Sequence, residues 1–191
     1  MRLSRTLILE RIGGPGAPPV VVLEAPAGYG KSWLARHAPT DAQRLRGTID
    51  PLRRTGADRT LILDDAHLLP ADQLDELVEL IEDADEHRRL IIAGRLLPHA
   101  VHDAVQLVDG SVLDTAALAV GVEELAAADV DVAAPLDRAL AAQVVGVADG
   151  CIRVVAAALG QAGRDPASDP VAIAAQMARA PLLGAQRSMP A

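Results

Sequence analysis

Three short apolar runs stand out in the first half of the chain, and each is bounded by polar or turn-forming residues. They occupy residues 18–24, 60–63 and 89–93. Runs of this length that are rich in β-branched residues predict buried strands. One further short strand is expected at residues 105–108 or 111–113.

The segments between these runs are expected to be helices or loops. Residues 30–37 follow a glycine-rich turn and predict a helix that carries Trp33 and Leu34 inward and ends before Pro39. The polar, arginine-rich residues 41–56 are expected to form a short surface helix or loop. Residues 70–84 predict the clearest helix, with an apolar face of Leu74, Leu77, Val78 and Ile81. Strands that alternate with helices predict an α/β fold with a mostly parallel sheet between two helical layers.

The pattern changes after about residue 119, where alanine-rich segments predict helices at residues 122–128, 135–148 and 151–159. Asp169 followed by Pro170 is typical of a helix start, so a last helix is expected to run to about residue 180. We therefore expect an α/β domain at residues 1–118, a small helical appendage at 119–180 and a flexible tail at 181–191.

Composition limits the classes of partner. The 191 residues include 18 basic and 26 acidic side chains, for a net charge of -8, which argues against direct binding of nucleic acid. No apolar run is long enough to cross a bilayer, and the single cysteine, Cys151, cannot form an internal disulfide. A cytoplasmic protein without membrane contact is expected. Of the 18 basic residues 17 are arginine, so the chain has one lysine, Lys31.

That lysine lies in a motif with a physical purpose. Small residues let successive backbone N–H groups point at phosphate oxygens, and the helix that follows adds its positive N-terminal end. A lysine then bridges the β- and γ-phosphates, and the next hydroxyl binds Mg²⁺. The segment after the first strand has this order and predicts a P-loop that binds ATP or ADP with Mg²⁺: Ala25, Pro26, Ala27, Gly28, Tyr29, Gly30, Lys31 and Ser32, followed by Trp33.

Charged residues follow the second and third apolar runs. Asp64 and Asp65 end the second, where Asp64 is expected to hold Mg²⁺ and Asp65 to orient water or act as a general base. Arg95 follows the third and is expected to reach the γ-phosphate from the same edge of the sheet. The alternatives are turn capping for the aspartates and a surface ion pair for Arg95. His67 is expected to be structural, with a part in catalysis or sensing as the alternative.

Together these motifs resemble the ATPase module of the large MalT-like, LuxR-type transcriptional regulators, which belong to the STAND class of signalling ATPases. The shared features are a basic, leucine-rich start, the Ala-Pro-Ala-Gly-Tyr-Gly-Lys loop, a Leu-Asp-Asp-x-His-x-Leu segment and a later strand that ends in arginine. The initial alanine of the loop is usual in that family. The resemblance covers roughly residues 1–160.

The resemblance implies a nucleotide-controlled switch that is closed with ADP, opens and self-associates with ATP, and is reset by slow hydrolysis. This chain departs from the family in three ways. The segment before Asp64 is short and lacks the family's Trp-x-x-Leu strand, so a sheet strand is expected to be missing. Ile152 stands where the family has proline beside the nucleotide, and no sensor repeats or helix-turn-helix follow in this sequence.

The leading interpretation is a regulatory ATPase that acts on a protein partner or on further copies of itself. Two alternatives stay open. One is a shortened relative that binds ATP without hydrolysing it and serves as an interaction scaffold. The other is a P-loop kinase for a small molecule, which requires an acceptor pocket and an arginine-rich lid, although residues 96–108 contain no arginine.

Overall fold

A computed structural model describes residues 5–38, 42–49, 60–85, 87–128, 136–165 and 167–180. The chain divides into two compact units. The first, Arg5–Leu118, is called the sheet unit. The second is formed by the described residues from Ala119 onward and is called the helical unit. The predicted tail at 181–191 lies outside the described residues.

Five strands form one sheet in the order β2-β3-β4-β1-β5, and every neighbouring pair is parallel. This arrangement confirms the predicted α/β fold with a parallel sheet. The three apolar runs become the three central strands because both of their faces are covered by protein. The strands are β1 Val20–Glu24, β2 Ala42–Arg46, β3 Thr60–Asp64, β4 Leu90–Gly94 and β5 Ser111–Leu113.

Strand β2 corrects the expectation of a surface helix or loop at residues 41–56 and of a missing strand before Asp64. It pairs with β3 over its whole length, with Arg46 opposite Asp64. Its sequence is mostly polar because β2 is an edge strand, and only Leu45 is buried there. Of the two candidates for the last strand, 111–113 is correct, and residues 105–107 lie in a helix instead.

Helices of the sheet unit cover both faces of the sheet. On one face α3 and α4 pack against alternate strand residues such as Val22, Leu63 and Ile92 in a continuous apolar core. On the other face α2 packs against β3 and β4, and α1 packs against α2. These helices are α1 Thr6–Gly13, α2 Lys31–His37, α3 Ala71–Glu82, α4 His99–Leu107 and α5 Thr115–Leu118.

The helical unit is built from α6 Val122–Ala126, α7 Arg138–Ala148, α8 Ile152–Arg164 and α9 Pro170–Arg179. Helix α9 packs against both α7 and α8. It begins as predicted, because the Asp169 side chain accepts a hydrogen bond from the Val171 N–H and Pro170 occupies the first turn. None of the helices described in either unit is long and apolar enough to span a membrane.

Candidate functional site

The glycine-rich loop lies between the end of β1 at Glu24 and the start of α2 at Lys31, at the carboxyl edge of the sheet. Gly28 and Gly30 have φ angles of 104° and 83°. Side chains are disfavoured at such angles, so these two positions require glycine. The resulting bend leads directly into the N-terminus of α2, where free backbone N–H groups attract anions. The loop therefore has the backbone form that a phosphate group needs.

The Lys31 side chain is held inside this loop by backbone carbonyl groups of the loop. Its Nζ donates hydrogen bonds to the carbonyl oxygens of Ala25, at 2.6 Å, and Pro26, at 2.9 Å. Burial, and then repulsion from Arg95, lower the pKa of Lys31, while Asp64 and Asp65 act in the opposite direction. When a phosphate binds in the loop, the Lys31 ammonium would exchange its carbonyl partners for charged phosphate oxygens, which bind an ammonium more strongly.

Ser32 and Asp64 bring the loop and β3 together. The Ser32 Oγ donates a hydrogen bond to the Asp64 Oδ1 at 3.0 Å, although the residues are 32 positions apart in the chain. Hydroxyl and carboxylate oxygens are ligands that Mg²⁺ prefers. The described residues contain no cluster of three or more acidic, histidine or cysteine side chains that could hold a metal ion alone. The pair thus fits a Mg²⁺ ion whose other ligands are phosphate oxygens and water.

Asp65 is engaged by a residue that the sequence patterns did not single out. Its Oδ2 lies 2.7 Å from the Nε of Arg46 at the end of β2, and the Arg46 side chain is 80% exposed. Asp65 has a left-handed backbone with φ of 57°, which turns the chain sharply after β3. Arg46 was difficult to identify from the sequence, because a single apolar residue, Leu45, between two arginines is too short an alternation to predict an edge strand.

Arg95 and His67 complete the polar cluster at this edge. Arg95 follows β4 on an exposed turn, near enough to Lys31 and His67 to lower the pKa of both. For His67, burial is the larger cause, and both causes favour the neutral imidazole. The Nδ1 of His67 is buried and has no hydrogen-bond partner among the residues that the structure describes. The predicted charged residues Lys31, Asp64, Asp65 and Arg95 therefore belong to one electrostatic cluster.

Trp33 corrects one sequence expectation. Its neighbour Leu34 is fully buried, but Trp33 is 39% exposed and its ring does not turn inward. The indole stacks on the imidazole of His37 one turn later, with ring centroids 4.1 Å apart. Because the two residues are four apart on a helix, their side chains share one face. Trp33 can therefore meet a nucleotide at the start of α2 through its backbone, while its ring packs on its own helix.

A depression of about 360 Å³ opens beside Ser32 and Asp64 on the α2 face of the sheet. Three arginines line it, namely Arg36, Arg44 and Arg46. The Arg36 Nε donates to the Ser32 carbonyl, and an Arg44 Nη donates to the Arg36 carbonyl, so both side chains are fixed to α2. We call this feature the arginine groove. It concentrates positive charge at the predicted Mg²⁺ position in a chain that is acidic as a whole.

Comparisons with known proteins identify the fold. No family model matches the chain, and no curated protein matches it. Two solved structures of RuvB variants from Thermotoga maritima each align with a TM-score of 0.53 and 19% sequence identity, covering 90% of this chain and 66% of the RuvB chain. This chain thus spans slightly less than two thirds of the RuvB chain. RuvB is a P-loop ATPase. The chain therefore has a P-loop NTPase fold, and its resemblance to the MalT-like regulators stays a prediction.

Proposed function

We propose that this protein is an ATP-binding switch that hydrolyses ATP slowly and acts on a protein partner or by ATP-dependent self-association. The observation that carries the proposal is the 3.0 Å hydrogen bond between Ser32 and Asp64, which joins the glycine-rich loop to the acidic end of β3. A loop alone binds phosphate, whereas a loop with a paired carboxylate can also bind Mg²⁺. The STAND-type regulatory role is the part of the proposal that rests on the sequence resemblance.

Each residue of the cluster has a role in this proposal. The backbone of residues 25–33 holds the phosphates of ATP or ADP, and the Lys31 ammonium bridges the β- and γ-phosphates. Ser32 and Asp64 hold Mg²⁺, and Asp65 orients the attacking water. Arg95 contacts the γ-phosphate and thereby distinguishes ATP from ADP. When bound, Mg²⁺ supplies neutralisation of charge on the phosphate oxygens.

The Arg46–Asp65 ion pair favours slow over fast hydrolysis. A carboxylate orients water best when its oxygens are free to accept hydrogen bonds from it. Here one oxygen of Asp65 accepts from the Arg46 Nε at 2.7 Å. Turnover then requires this contact to loosen, which suits a switch that must persist in its ATP state.

The test measures ADP production by the purified chain with Mg²⁺, together with size-exclusion elution in ATP and in ADP. Lys31→Ala is expected to weaken nucleotide binding at least about a hundredfold, because a charged contact to two phosphates is lost. Asp65→Asn is expected to keep binding and to lower turnover at least about a hundredfold. Arg88→Ala and Asp75→Asn, which change the same types of charge away from the cluster, serve as controls.

The outcomes of these measurements distinguish the ATP-dependent switch from the interaction scaffold. Slow turnover with ATP-dependent assembly supports the switch. Tight binding without turnover or a change in elution supports the interaction scaffold instead. Unchanged turnover in Asp65→Asn contradicts the role proposed for that carboxylate.

One observation favours a second candidate, a P-loop kinase for a small molecule. The arginine groove lies beside Ser32 and Asp64 and is large enough for a metabolite-sized acceptor. ADP production would be measured with and without a panel of phosphorylated sugars and nucleosides. A stimulation of at least about tenfold that Arg44→Gln abolishes would identify a kinase. Turnover that no acceptor changes leaves the switch as the better reading.

A further inference from the structure

The arginine groove has more hydrogen-bond donors than its described contacts use. Arg36 and Arg44 each donate to a backbone carbonyl, and the Arg46 Nε donates to Asp65. Because a guanidinium carries five N–H donors, most donors of each side chain stay available. All three arginines are exposed, and Asp64 is the one acidic residue among the described residues that line the groove. The groove therefore fits an anionic occupant.

Strand β2 fixes the spacing of two of these arginines. Arg44 and Arg46 are two residues apart, on the face of β2 opposite the buried Leu45. Side chains at such positions are about 6.6 Å apart along a strand. The whole of β2 pairs with β3, so the sheet holds this spacing. A pair of acidic groups at about the same separation would engage both guanidinium groups.

The end of α3 carries a complementary charge. Glu79, Glu82 and Asp83 are exposed there, and we call them the acidic end of α3. The last turn of this helix has no basic residue, and none of the three side chains has an ion pair or hydrogen bond within the described part of the chain. Negative charge is unfavourable near a helix C-terminus, because the helix dipole is negative there. A positively charged partner would offset this cost.

Neither surface can satisfy the other within one molecule. Leu45 belongs to the same apolar core as Leu77 and Ile81 of α3, so α3 covers that face of the sheet. Arg44 and Arg46 alternate with Leu45 and therefore lie on the opposite face, where α2 packs. The groove can receive the acidic end of α3 only from a second copy. Because the two copies contribute different surfaces, the contact is heterologous and extends into a ring or a filament.

A second copy satisfies both surfaces at once. Glu79 and Glu82 are three residues apart on one helix face, with Cβ atoms about 5–6 Å from each other. This distance is close to the spacing of Arg44 and Arg46 on β2. A small anionic metabolite would satisfy the groove alone and leave the acidic end of α3 without a partner. Charge and spacing together therefore favour a second copy of the chain.

We propose that the arginine groove binds the acidic end of α3 of a second copy, with Glu79 and Glu82 facing the two arginines of β2. This contact supplies the surfaces for the self-association in the proposed function, and its dependence on ATP rests on that function. The groove shares Ser32 and Asp64 with the candidate nucleotide site, so bound nucleotide lies beside the contact. Because salt screens exposed charges, raising its concentration from about 50 mM to about 300 mM is expected to weaken association at least about tenfold.

The test reverses the charge of each surface and then mixes the variants. In Arg36→Glu/Arg44→Glu both surfaces are acidic, and in Glu79→Arg/Glu82→Arg both are basic. Sedimentation velocity with ATP and Mg²⁺ measures assembly of the full chain. Each variant alone is expected to associate at least about a hundredfold more weakly than the wild-type chain, because like charges then face each other. The equimolar mixture should assemble again, since every acidic groove then meets a basic helix end and every basic groove an acidic one.

A third variant and the helix variant make the test specific. Glu10→Arg is the control, because it reverses an exposed acidic charge on α1 beside β5, at the edge of the sheet opposite β2. It should assemble as the wild-type chain does. The substitutions in α3 lie on the other face of the sheet from α2, so the helix variant tests the contact without altering the groove beside the nucleotide site.

The outcomes distinguish this contact from the proposed function. If the wild-type chain assembles with ATP and the helix variant assembles equally well, the contact is overturned and the ATP-dependent switch stands. The same holds for a mixture that stays unassembled although both variants keep the wild-type circular dichroism. A phosphorylated metabolite that binds the groove, while neither reversal changes assembly, would identify a small occupant instead. If the wild-type chain does not assemble with ATP, the contact is overturned with the proposed self-association, and ADP production decides on the ATPase.

Discussion

The two units of the chain use polar side chains in different ways. In the sheet unit, contacts such as Ser32 with Asp64, Arg46 with Asp65 and Glu24 with His102 join elements that are far apart in the chain. All three lie where the central strands end. In the helical unit, the hydrogen bonds of Asp137 and Asp169 reach backbone N–H groups two or three residues away. An ion pair between Arg138 and Glu123 also occurs there, but both side chains are mostly exposed.

This difference separates polar contacts that stabilise the fold from polar contacts that form the candidate site. Local caps stabilise a helix wherever it lies, and an exposed ion pair contributes little. Long-range polar contacts instead hold charged groups in a fixed arrangement at some cost in desolvation, which is typical of sites that bind ligands. We therefore expect substitutions in the helical unit to change stability alone, and those at the strand ends to change nucleotide handling.

Core truncation in each unit should have the largest effects on stability. Ile92→Ala in β4 removes a side chain surrounded by large apolar neighbours and is expected to cost about 4 kcal/mol. Leu159→Ala in α8 is expected to cost about 2.5 kcal/mol, because its helix also buries Ala158 and Ala162, small neighbours that can close around the gap. Urea unfolding followed by circular dichroism measures both. Equal costs would show that the alanine-rich unit is packed as rigidly as the sheet.

A helix cap should have the next largest effect. Asp169→Ala removes the acceptor for the Val171 N–H and is expected to cost about 1 kcal/mol without changing nucleotide binding. Thermal unfolding and a nucleotide titration of the same sample measure the two quantities. Asp103→Ala, an exposed aspartate in the middle of α4, is the control and should change stability by less than about 0.5 kcal/mol. Weakened nucleotide binding in Asp169→Ala would contradict the expectation that substitutions in the helical unit change stability alone.

Arg46→Gln should change turnover and leave stability almost unaltered. The guanidinium is exposed, so its loss removes little from the folded state, but it frees one oxygen of Asp65. Turnover is expected to rise about threefold, the size of effect typical of an exposed ion pair. Arg44→Gln is the matched control, because Arg44 lies on the same strand but donates to the Arg36 carbonyl. A fall in turnover for Arg46→Gln would indicate that Arg46 acts on the nucleotide itself.

His67 should give the smallest effect, visible only as a pH dependence. Burial and Arg95 lower its pKa below the ordinary value of 6.5, so below that pH the unfolded chain binds the proton more readily than the folded chain. Stability contributed by the neutral form is therefore present above pH 6.5 and decreases as pH falls towards the folded pKa. Unfolding of His67→Gln across this range should lack that decrease, whereas the His87→Gln control should retain it.

Local patterns were enough for much of the architecture. The apolar runs predicted the three central strands, and the spacing of Leu74 to Ile81 predicted α3. The edge strand β2 was missed because only one of its five residues is buried, so its sequence shows no alternation of apolar and polar residues from which a strand could be predicted. The prediction that α2 carries Trp33 and Leu34 inward was correct for Leu34, which is buried. It was wrong for Trp33, whose ring stacks on another residue of the same helix.

Sequence alone determined the glycine-rich loop, the acidic end of β3 and the start of α9. These depend on neighbouring residues, whose backbone preferences and spacing can be read directly. Only the tertiary structure decided that Arg46 engages Asp65 and that Glu24 lies next to His102. Strand order and register set those distances, and they arise from the packing of the whole sheet, for which no short segment carries the information.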